Sequence, residues 1–219
     1  MIKLDILSDP ICPWCLIGKT QLDRALAERP DHPFVIEWHP FQLNPEMPPE
    51  GMDRRAYLEA KFGGKENAVK VYGHIAEAAE QAGLMLNLGA IEQTPNTLNA
   101  HRLIHWAGIE GKQTEVVDAL FAAYFFEGKN IGDVDSLKTI AGEAGLDADA
   151  IGRLLAGDQD AADIAARDAH ARERGVTGVP TFIVGQQHVL PGAQPTALWL
   201  QVIDEVSGKT STTVDATVH

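Results

Sequence analysis

The two cysteines of the chain, Cys12 and Cys15, lie in the segment 8–18, directly after a strand pattern and at the start of a helical one. Pro13 follows Cys12 at a place that suits the first residue of a helix, where the missing N–H has no partner to lose. Unpaired backbone N–H groups and the positive end of the helix dipole favour an anion there, and the Cys12 thiolate is that anion. Cys15, one turn further into the helix, is expected to be less exposed and able to attack a mixed disulfide on Cys12. The segment therefore predicts a redox-active dithiol.

Composition narrows the class of protein. The chain has 219 residues, of which 45% are hydrophobic, and a net charge of −13. This charge argues against nucleic-acid and anionic-membrane binding, both of which require basic patches. The sequence has no run of 18 apolar residues, so no transmembrane helix is predicted. No basic and apolar leader precedes the strand pattern at Ile2, so a cytoplasmic location is expected. Zinc on Cys12 and Cys15 would need two more soft ligands, and no second cysteine pair exists. No metal is predicted.

The order of predicted elements divides the chain into two parts. A strand–helix–strand unit is followed by a long helical block, in which one helix is expected to open at Thr94 and Pro95. The expected elements are a strand over residues 2–6, a helix over 13–29, a strand over 34–38, helices from 53 to about 174, strands over 181–184 and 188–190, and a helix over 194–206. Residues 1–44 and 160–208 are assigned to an α/β domain, residues 45–159 to a helical insertion, and residues 209–219 to a polar tail.

This βαβ…ββα order, with the cysteine pair at the start of the first helix, resembles the thioredoxin fold. The all-helical insertion between the two halves resembles the DsbA family. Within that family the chain is similar to the FrnE-like subgroup, on the strength of Cys-Pro-Trp-Cys at 12–15 with Gly18, Pro-Phe-Gln-Leu-Asn-Pro at 40–45, Asn-Thr at 96–97, Ala-His-Arg at 100–102 and Gly-Val-Pro-Thr-Phe at 178–182. Relatives with this architecture include 2-hydroxychromene-2-carboxylate isomerase and kappa-class glutathione transferases, which typically carry serine in place of Cys12. A homodimer is common among these relatives.

The resemblance implies a cis peptide bond before Pro180, opposite Cys12, which would expose the backbone of Val179 to a bound thiol substrate as a strand edge. From the residues alone, a trans proline that starts a strand is equally compatible. Trp14 is expected to offer an apolar face to substrate or to pack against the insertion. The predicted substrate-binding residues are Pro13, Trp14, Val179, Pro180 and Thr181.

The proton acceptor for Cys15 is not given by the pattern. Thioredoxin-like enzymes often carry a buried carboxylate six residues before the first cysteine, but that position is Ile6 here. Asp9 and a water molecule are the alternatives.

Two polar residues of one predicted helix, His101 and Arg102, are candidates for the cleft, where they would bind a substrate carboxylate. A salt bridge is the alternative for Arg102. His101 and His105 have the spacing of metal ligands on a helix, but a metal site needs at least three protein ligands.

The leading functional hypothesis is a thiol–disulfide oxidoreductase or disulfide isomerase acting through a mixed disulfide on Cys12, which Cys15 resolves. It would act on a protein or small-molecule thiol and needs no cofactor beyond its own disulfide, with glutathione as a candidate substrate. The alternative is a glutathione-dependent transferase or isomerase of the kappa and 2-hydroxychromene-2-carboxylate isomerase type. A third hypothesis is a helical interaction module with an unreactive Cys12. The sequence does not distinguish oxidase, isomerase and reductase.

Overall fold

The computed structural model describes residues 1–208. Its strands are β1 (Ile2–Ser8), β2 (Phe34–Pro40), β3 (Met52–Asp53), β4 (Gln93–Thr94), β5 (Thr181–Val184) and β6 (His188–Pro191). Its helices are α1 (Pro13–Glu28), α2 (Arg54–Phe62), α3 (Lys65–Gln81), α4 (Leu98–Ile109), α5 (Gln113–Phe125), α6 (Val134–Glu143), α7 (Ala148–Ala156), α8 (Ala161–Glu173) and α9 (Thr196–Val206). The predicted polar tail, residues 209–219, lies outside the described residues.

The central sheet has the strand order β2-β1-β5-β6. β1 pairs with β2 in parallel and with β5 antiparallel, so that Leu7 lies opposite Thr181. The alternation of a strand sends Leu4 and Ile6 to one face, where they pack with α1 and α9 in the core. On this face the rings of Phe182 and Trp199 meet edge to face, with centroids 4.8 Å apart. The thioredoxin fold expected from the element order is confirmed.

The helical insertion shares a single core with the sheet. Buried residues of α4, α5 and α6 belong to the same apolar cluster as those of β1 and α1. Trp38 of β2 fixes the junction, because its backbone N–H donates to Gln113 Oε1 at 2.8 Å and its indole N–H donates to Thr114 Oγ1 at 3.0 Å. The two halves are therefore packed together rather than joined by a linker.

The start of α4 differs from the prediction. This helix does not open at Thr94 and Pro95, because Thr94 is buried in β4, opposite Met52 of β3. The helix begins at Leu98, whose N–H donates to Asn96 Oδ1 at 2.9 Å. Strands of two residues have no periodicity to detect, so β3 and β4 could not be recognised in the sequence.

Among the described residues, no helix combines the length and the apolar character that crossing a membrane requires.

Candidate active site

Cys12 is the N-cap residue of α1, and Pro13 occupies the first helical position. The Cys12 backbone is extended, with φ −87° and ψ 114°, and its carbonyl accepts from the N–H groups of Cys15 (3.1 Å) and Leu16 (3.3 Å). Both thiols are reduced, and the two residues are only 3% and 1% exposed, respectively. The Cys12 side chain thus lies at the N-terminal, positive end of the helix dipole.

The loop before β5 approaches Cys12 from the other side. The peptide bond between Val179 and Pro180 is cis, and the Cys12 thiol donates to the Val179 carbonyl oxygen at 3.6 Å. Thr181 holds this loop, since its hydroxyl donates to the carbonyl of Gly178 at 2.7 Å. Gly18 of α1 lies directly beneath, and a Cβ there would come within 3.1 Å of Pro180 Cγ. The absence of a side chain at position 18 therefore lets α1 pack against the Pro180 ring.

Cys15 lies deeper and in a different environment. Burial raises the pKa of the Cys15 thiol well above its usual range, and contact with Cys12 raises it further. Hydrogen bonds from the Ser8 side chain and from the Asp9 backbone act in the opposite direction. The first cysteine therefore lies at a helix end beside the Val179 loop, whereas the second is enclosed and holds its proton.

Asp9 is fully buried at the junction of the sheet with the insertion. Its carboxylate accepts from the N–H of Leu43 at 2.6 Å, from the N–H of Ile11 at 3.3 Å and from the hydroxyl of Thr97 at 3.4 Å. Burial nevertheless raises the pKa of Asp9 from 3.8 to about 7, because these bonds only partly replace the lost hydration. The carboxylate ties the active-site loop to the insertion.

His101 and Arg102 occupy the insertion core rather than the cleft. His101 Nε2 is buried without a hydrogen-bond partner, 3.9 Å from Asp9 Oδ1, and burial lowers the pKa of His101 to about 4. The Arg102 guanidinium donates to the carbonyl of Leu154 in the last turn of α7 and to the carbonyls of Gly157 and Gln159 after that helix. The Arg102 guanidinium is therefore occupied by these carbonyls, and both residues are buried. Adjacent helix positions diverge by about 100°, so the two neighbours reach different surroundings.

A cleft of about 990 Å³ opens beside the Val179 loop, between the sheet and α8. Of the predicted substrate-binding residues, Val179, Pro180 and Thr181 line this cleft, whereas Pro13 and Trp14 do not, and neither cysteine does. Three basic side chains also line it: Arg167 and His170 of α8, and Arg174 directly after that helix. Trp14 lies between the cysteines and is 40% exposed, whereas Pro13 is buried. Trp14 therefore offers an apolar surface beside Cys12.

One group of side chains in the described part of the chain has the donor set of a metal site. The ligand atoms of Asp5, Glu37 and His39 lie within 4.8 Å of one another. Lys3 already pairs with both carboxylates, since its ammonium lies 3.0 Å from Asp5 Oδ1 and 2.7 Å from Glu37 Oε2. His39 Nε2 lies 2.6 Å from Asp5 Oδ1. The arrangement is that of an ion-pair cluster on adjacent strands.

Sequence reasoning missed Ser8. Its side chain lowers the pKa of Cys15, but a serine at the end of a strand carries no signal that distinguishes it from a turn residue.

Known proteins share this architecture. The family described as DSBA-like thioredoxin domain matches residues 3–204. The uncharacterized protein YwbO of Bacillus subtilis (strain 168) is 31% identical over 194 residues, which are 88% of this chain and 90% of YwbO.

Two solved structures extend the likeness to three dimensions. The probable DsbA oxidoreductase SCO1869 from Streptomyces coelicolor has a TM-score of 0.84 at 28% identity, and the match covers 96% of this chain and 92% of that one. The cytosolic disulfide reductase DsbM from Pseudomonas aeruginosa, solved with GSH, has a TM-score of 0.67 at 18% identity, with 94% of this chain and 99% of DsbM covered.

Proposed function

Because the chain belongs to the DSBA-like thioredoxin domain family, we propose that it is a thiol–disulfide oxidoreductase whose redox pair is Cys12 and Cys15. The observation that carries the proposal is the position of Cys12, whose sulfur lies at the N-terminus of α1 and 3.6 Å from the Val179 carbonyl oxygen. A thiolate is the nucleophile of disulfide exchange, and Cys12 is the cysteine that lies at the helix end, beside the Val179 loop. The exposed Trp14 supplies an apolar contact next to it.

The reaction has two exchange steps. The Cys12 thiolate attacks one sulfur of a substrate disulfide, the substrate S–S bond breaks, and its electron pair leaves with the second sulfur as a thiolate. The Cys15 thiolate then attacks Cys12 Sγ, the bond from Cys12 to the substrate breaks, and the substrate leaves as a second thiolate. The substrate gains two electrons and the Cys12–Cys15 pair becomes a disulfide. The reverse sequence oxidises a substrate dithiol, and release after the first step shuffles disulfides.

The cleft indicates which substrates suit this site. A peptide or a small thiol placed along the Val179 loop can pair with its backbone as with a strand edge. The cysteines do not line this cleft, so a substrate would reach it past the Val179 loop; Arg167, His170 and Arg174 outnumber Asp5 there and favour a substrate that carries carboxylates. Glutathione fits both requirements, and DsbM was solved with GSH. We also propose a cytoplasmic location, which is supported by the likeness to DsbM, described as a cytosolic disulfide reductase.

The test is the redox equilibrium of the protein against mixtures of reduced and oxidised glutathione, followed by tryptophan fluorescence. A potential between about −120 and −200 mV would assign an oxidase or isomerase, and one near about −270 mV a reductase. Cys12→Ser is expected to abolish exchange, whereas Cys15→Ser is expected to accumulate a mixed disulfide with one glutathione on Cys12. Full exchange by Cys12→Ser would refute the proposal.

A second candidate function is a glutathione-dependent transferase or isomerase, favoured by the basic side chains of the cleft beside Val179. In that reaction glutathione would be bound and activated without forming a disulfide with Cys12. The discriminating assay is conjugation of a chlorinated aromatic acceptor to glutathione by Cys12→Ser. Conjugation by this variant, together with no reversible redox transition in the wild type, would put the transferase in place of the oxidoreductase.

A further inference from the structure

The loop before β5 contacts the redox pair and also lines the large cleft. The Val179 carbonyl oxygen accepts from the Cys12 thiol at 3.6 Å, and Val179 and Pro180 both line the cleft of about 990 Å³. Ligand pockets commonly measure about 300–1,000 Å³, so this cleft has room for several side chains. A polypeptide that presents a disulfide to Cys12 along this loop can therefore extend into the cleft.

The sheet forms an apolar wall of the cleft. Leu7 of β1, Ile183 of β5 and Val189 of β6 line it. They belong to the face of the sheet opposite to the one that packs against α1 and α9, because side chains alternate along each strand. Val189 is 59% exposed. This wall thus offers apolar surface to a ligand.

The wall formed by α8 is basic. Arg167, His170 and Arg174 are spaced by three and four residues, so they share one side of the helix. The seven residues from Arg167 to Arg174 span about 10 Å along a helix axis. Three residues of an extended chain cover about the same length. The basic row therefore matches a short extended segment that carries more than one carboxylate.

Arg167 and Arg174 are cations without an acidic partner. In the described part of the chain neither guanidinium forms an ion pair with a carboxylate, whereas Arg172 of the same helix pairs with Asp168 at 3.0 Å. The Arg167 guanidinium lies 3.2 Å from His105 Nδ1. Acidic residues outnumber Lys and Arg by 31 to 18 in the sequence, so two arginines left unpaired on one surface indicate an acidic ligand.

The carboxylate that lines the cleft is already paired. Asp5 Oδ1 lies 3.0 Å from the Lys3 ammonium and 2.6 Å from His39 Nε2. The unpaired charge of the cleft is therefore positive, in a chain whose net charge is −13.

We propose that this cleft binds an acidic segment of a polypeptide substrate, whose carboxylates pair with Arg167 and Arg174. Apolar side chains of the same segment pack against the sheet wall. The inference rests on the proposed function and names the class of its substrate, because the cleft contributes only when Cys12 attacks a disulfide presented at the Val179 loop. Charges at such a distance from the reacting sulfurs speed encounter and fix the register of the bound chain.

The experiment compares three peptides that differ only in charge. Each has one cysteine, whose sulfur carries a nitrothiobenzoate group, and a flanking segment in which valine alternates with Glu, Gln or Lys. One set places this segment before the cysteine and a second set places it after. The Cys12 thiolate attacks the peptide sulfur, the S–S bond to nitrothiobenzoate breaks, and the coloured thiolate that leaves is followed by its absorbance. The quantity measured is the second-order rate constant of the reduced protein.

Two substitutions reverse the charge of the cleft. Arg174→Glu changes an exposed side chain, and Arg167→Glu is combined with it in a double variant. The control is Arg153→Glu, which makes the same change of net charge at an exposed position of α7 that does not line the cleft.

We expect the wild type to react with the Glu peptide of one set roughly tenfold faster than with the Gln peptide, since an exposed ion pair is worth up to about a factor of five. The Lys peptide should be the slowest, and added salt should reduce the differences. Arg174→Glu should lose most of the preference, and the double variant should react fastest with the Lys peptide. Every variant should keep the wild-type rate with the Gln peptide, and Arg153→Glu should keep the wild-type preference.

Equal rates of the wild type with all three peptides of both sets would overturn the inference. The alternative for Arg174 is stabilisation of the end of α8, where it is the C-cap residue. In that case Arg174→Glu would lower the Tm but keep the preference for the Glu peptide, which also overturns the inference. Arg174→Glu alone decides the question if the double variant does not fold.

Two further outcomes have separate meanings. Slower reaction of the variants with oxidised glutathione, without any preference among the peptides, would assign the cleft to glutathione and overturn the inference. Equal release of the coloured thiolate by Cys12→Ser and the wild type, or no release by the wild type, would instead refute the proposed function.

Discussion

Replacing Asp9 with asparagine tests whether the buried carboxyl group of Asp9, whose pKa is raised to about 7, stabilises the active-site loop. Asp9 accepts three hydrogen bonds, from Ile11, Leu43 and Thr97, yet has no exposed surface. The amide of Asp9→Asn keeps one oxygen for the Leu43 N–H and can turn its NH₂ towards His101 Nε2. The variant therefore fills the same space without a group that ionises.

The magnitude follows from the pKa of Asp9, which folding raises from 3.8 to about 7. A shift of about 3 units corresponds to about 4 kcal/mol of stability. Because the folded-state pKa is raised, this stability is fully present below pH 3.8 and is lost as the pH rises through about 7. Between pH 5 and pH 8 the expected loss is about 3 kcal/mol.

His101 acts in the opposite direction, which determines the design of the assay. Folding lowers its pKa from 6.5 to about 4, so its contribution is present above pH 6.5 and is lost as the pH falls towards 4. The two contributions partly cancel in the wild type. The quantity to measure is therefore the difference in unfolding free energy between the wild type and Asp9→Asn, from urea titrations between pH 5 and 8.

The unfolding free energy of the wild type minus that of Asp9→Asn should fall by about 3 kcal/mol between pH 5 and pH 8, because only the wild type loses stability as Asp9 ionises. Asp31→Asn, at an exposed turn, is the control and should give a constant difference. A constant difference for Asp9→Asn would refute the reasoning, because it would mean that Asp9 is already ionised at pH 5.

Three further substitutions test the packing and the surface of the site. Gly18→Ala would force a Cβ against Pro180 Cγ (3.1 Å) and the Ala193 backbone (3.3 Å). The cost of overpacking, about 1–3 kcal/mol, should exceed the gain in helix propensity of about 1 kcal/mol, so the Tm should fall. The control is Gly73→Ala, which has open space around it and should raise the Tm. Arg102→Met leaves the carbonyls after α7 unpaired and should cost roughly 3 kcal/mol in urea unfolding, with unchanged exchange per folded molecule. Trp14→Ala removes an exposed apolar surface and should raise the KM for disulfide substrates several-fold, with less than about 1 kcal/mol of change in stability.

The elements that depend on local pattern could be predicted. The alternation of residues 2–6 predicted β1, and the cysteine pair with Pro13 predicted the start of α1. The start of α4 was predicted wrongly, because Thr94 and Pro95 form a good helix-opening pair while tertiary pairing with Met52 decides the outcome. A local pattern does not contain the partner strand, so this boundary could not be read from the sequence.

The candidate site shows the same division between local and long-range information. Cys12 and Cys15 are neighbours in the sequence, and their spacing was sufficient to predict a dithiol. The contact of Cys12 with Val179 spans 167 residues, and only the resemblance to a family placed the two together. Arg102 fits a substrate carboxylate as well as it fits a set of buried carbonyls, and its surroundings decided for the carbonyls.

The position of Ile6 explains why the polar groups around Cys15 lie where they do. A carboxylate at position 6 would face α1 and the core, and burying a charge there is costly unless it is paired. In this chain that position is apolar, and the side chain of Ser8, one pleat further along β1, lowers the pKa of Cys15 instead. The carboxylate of the region is Asp9, whose three hydrogen bonds come from the loop and the insertion. Thr97 of the insertion is one of these three donors, so the insertion helps to hold the loop that precedes Cys12.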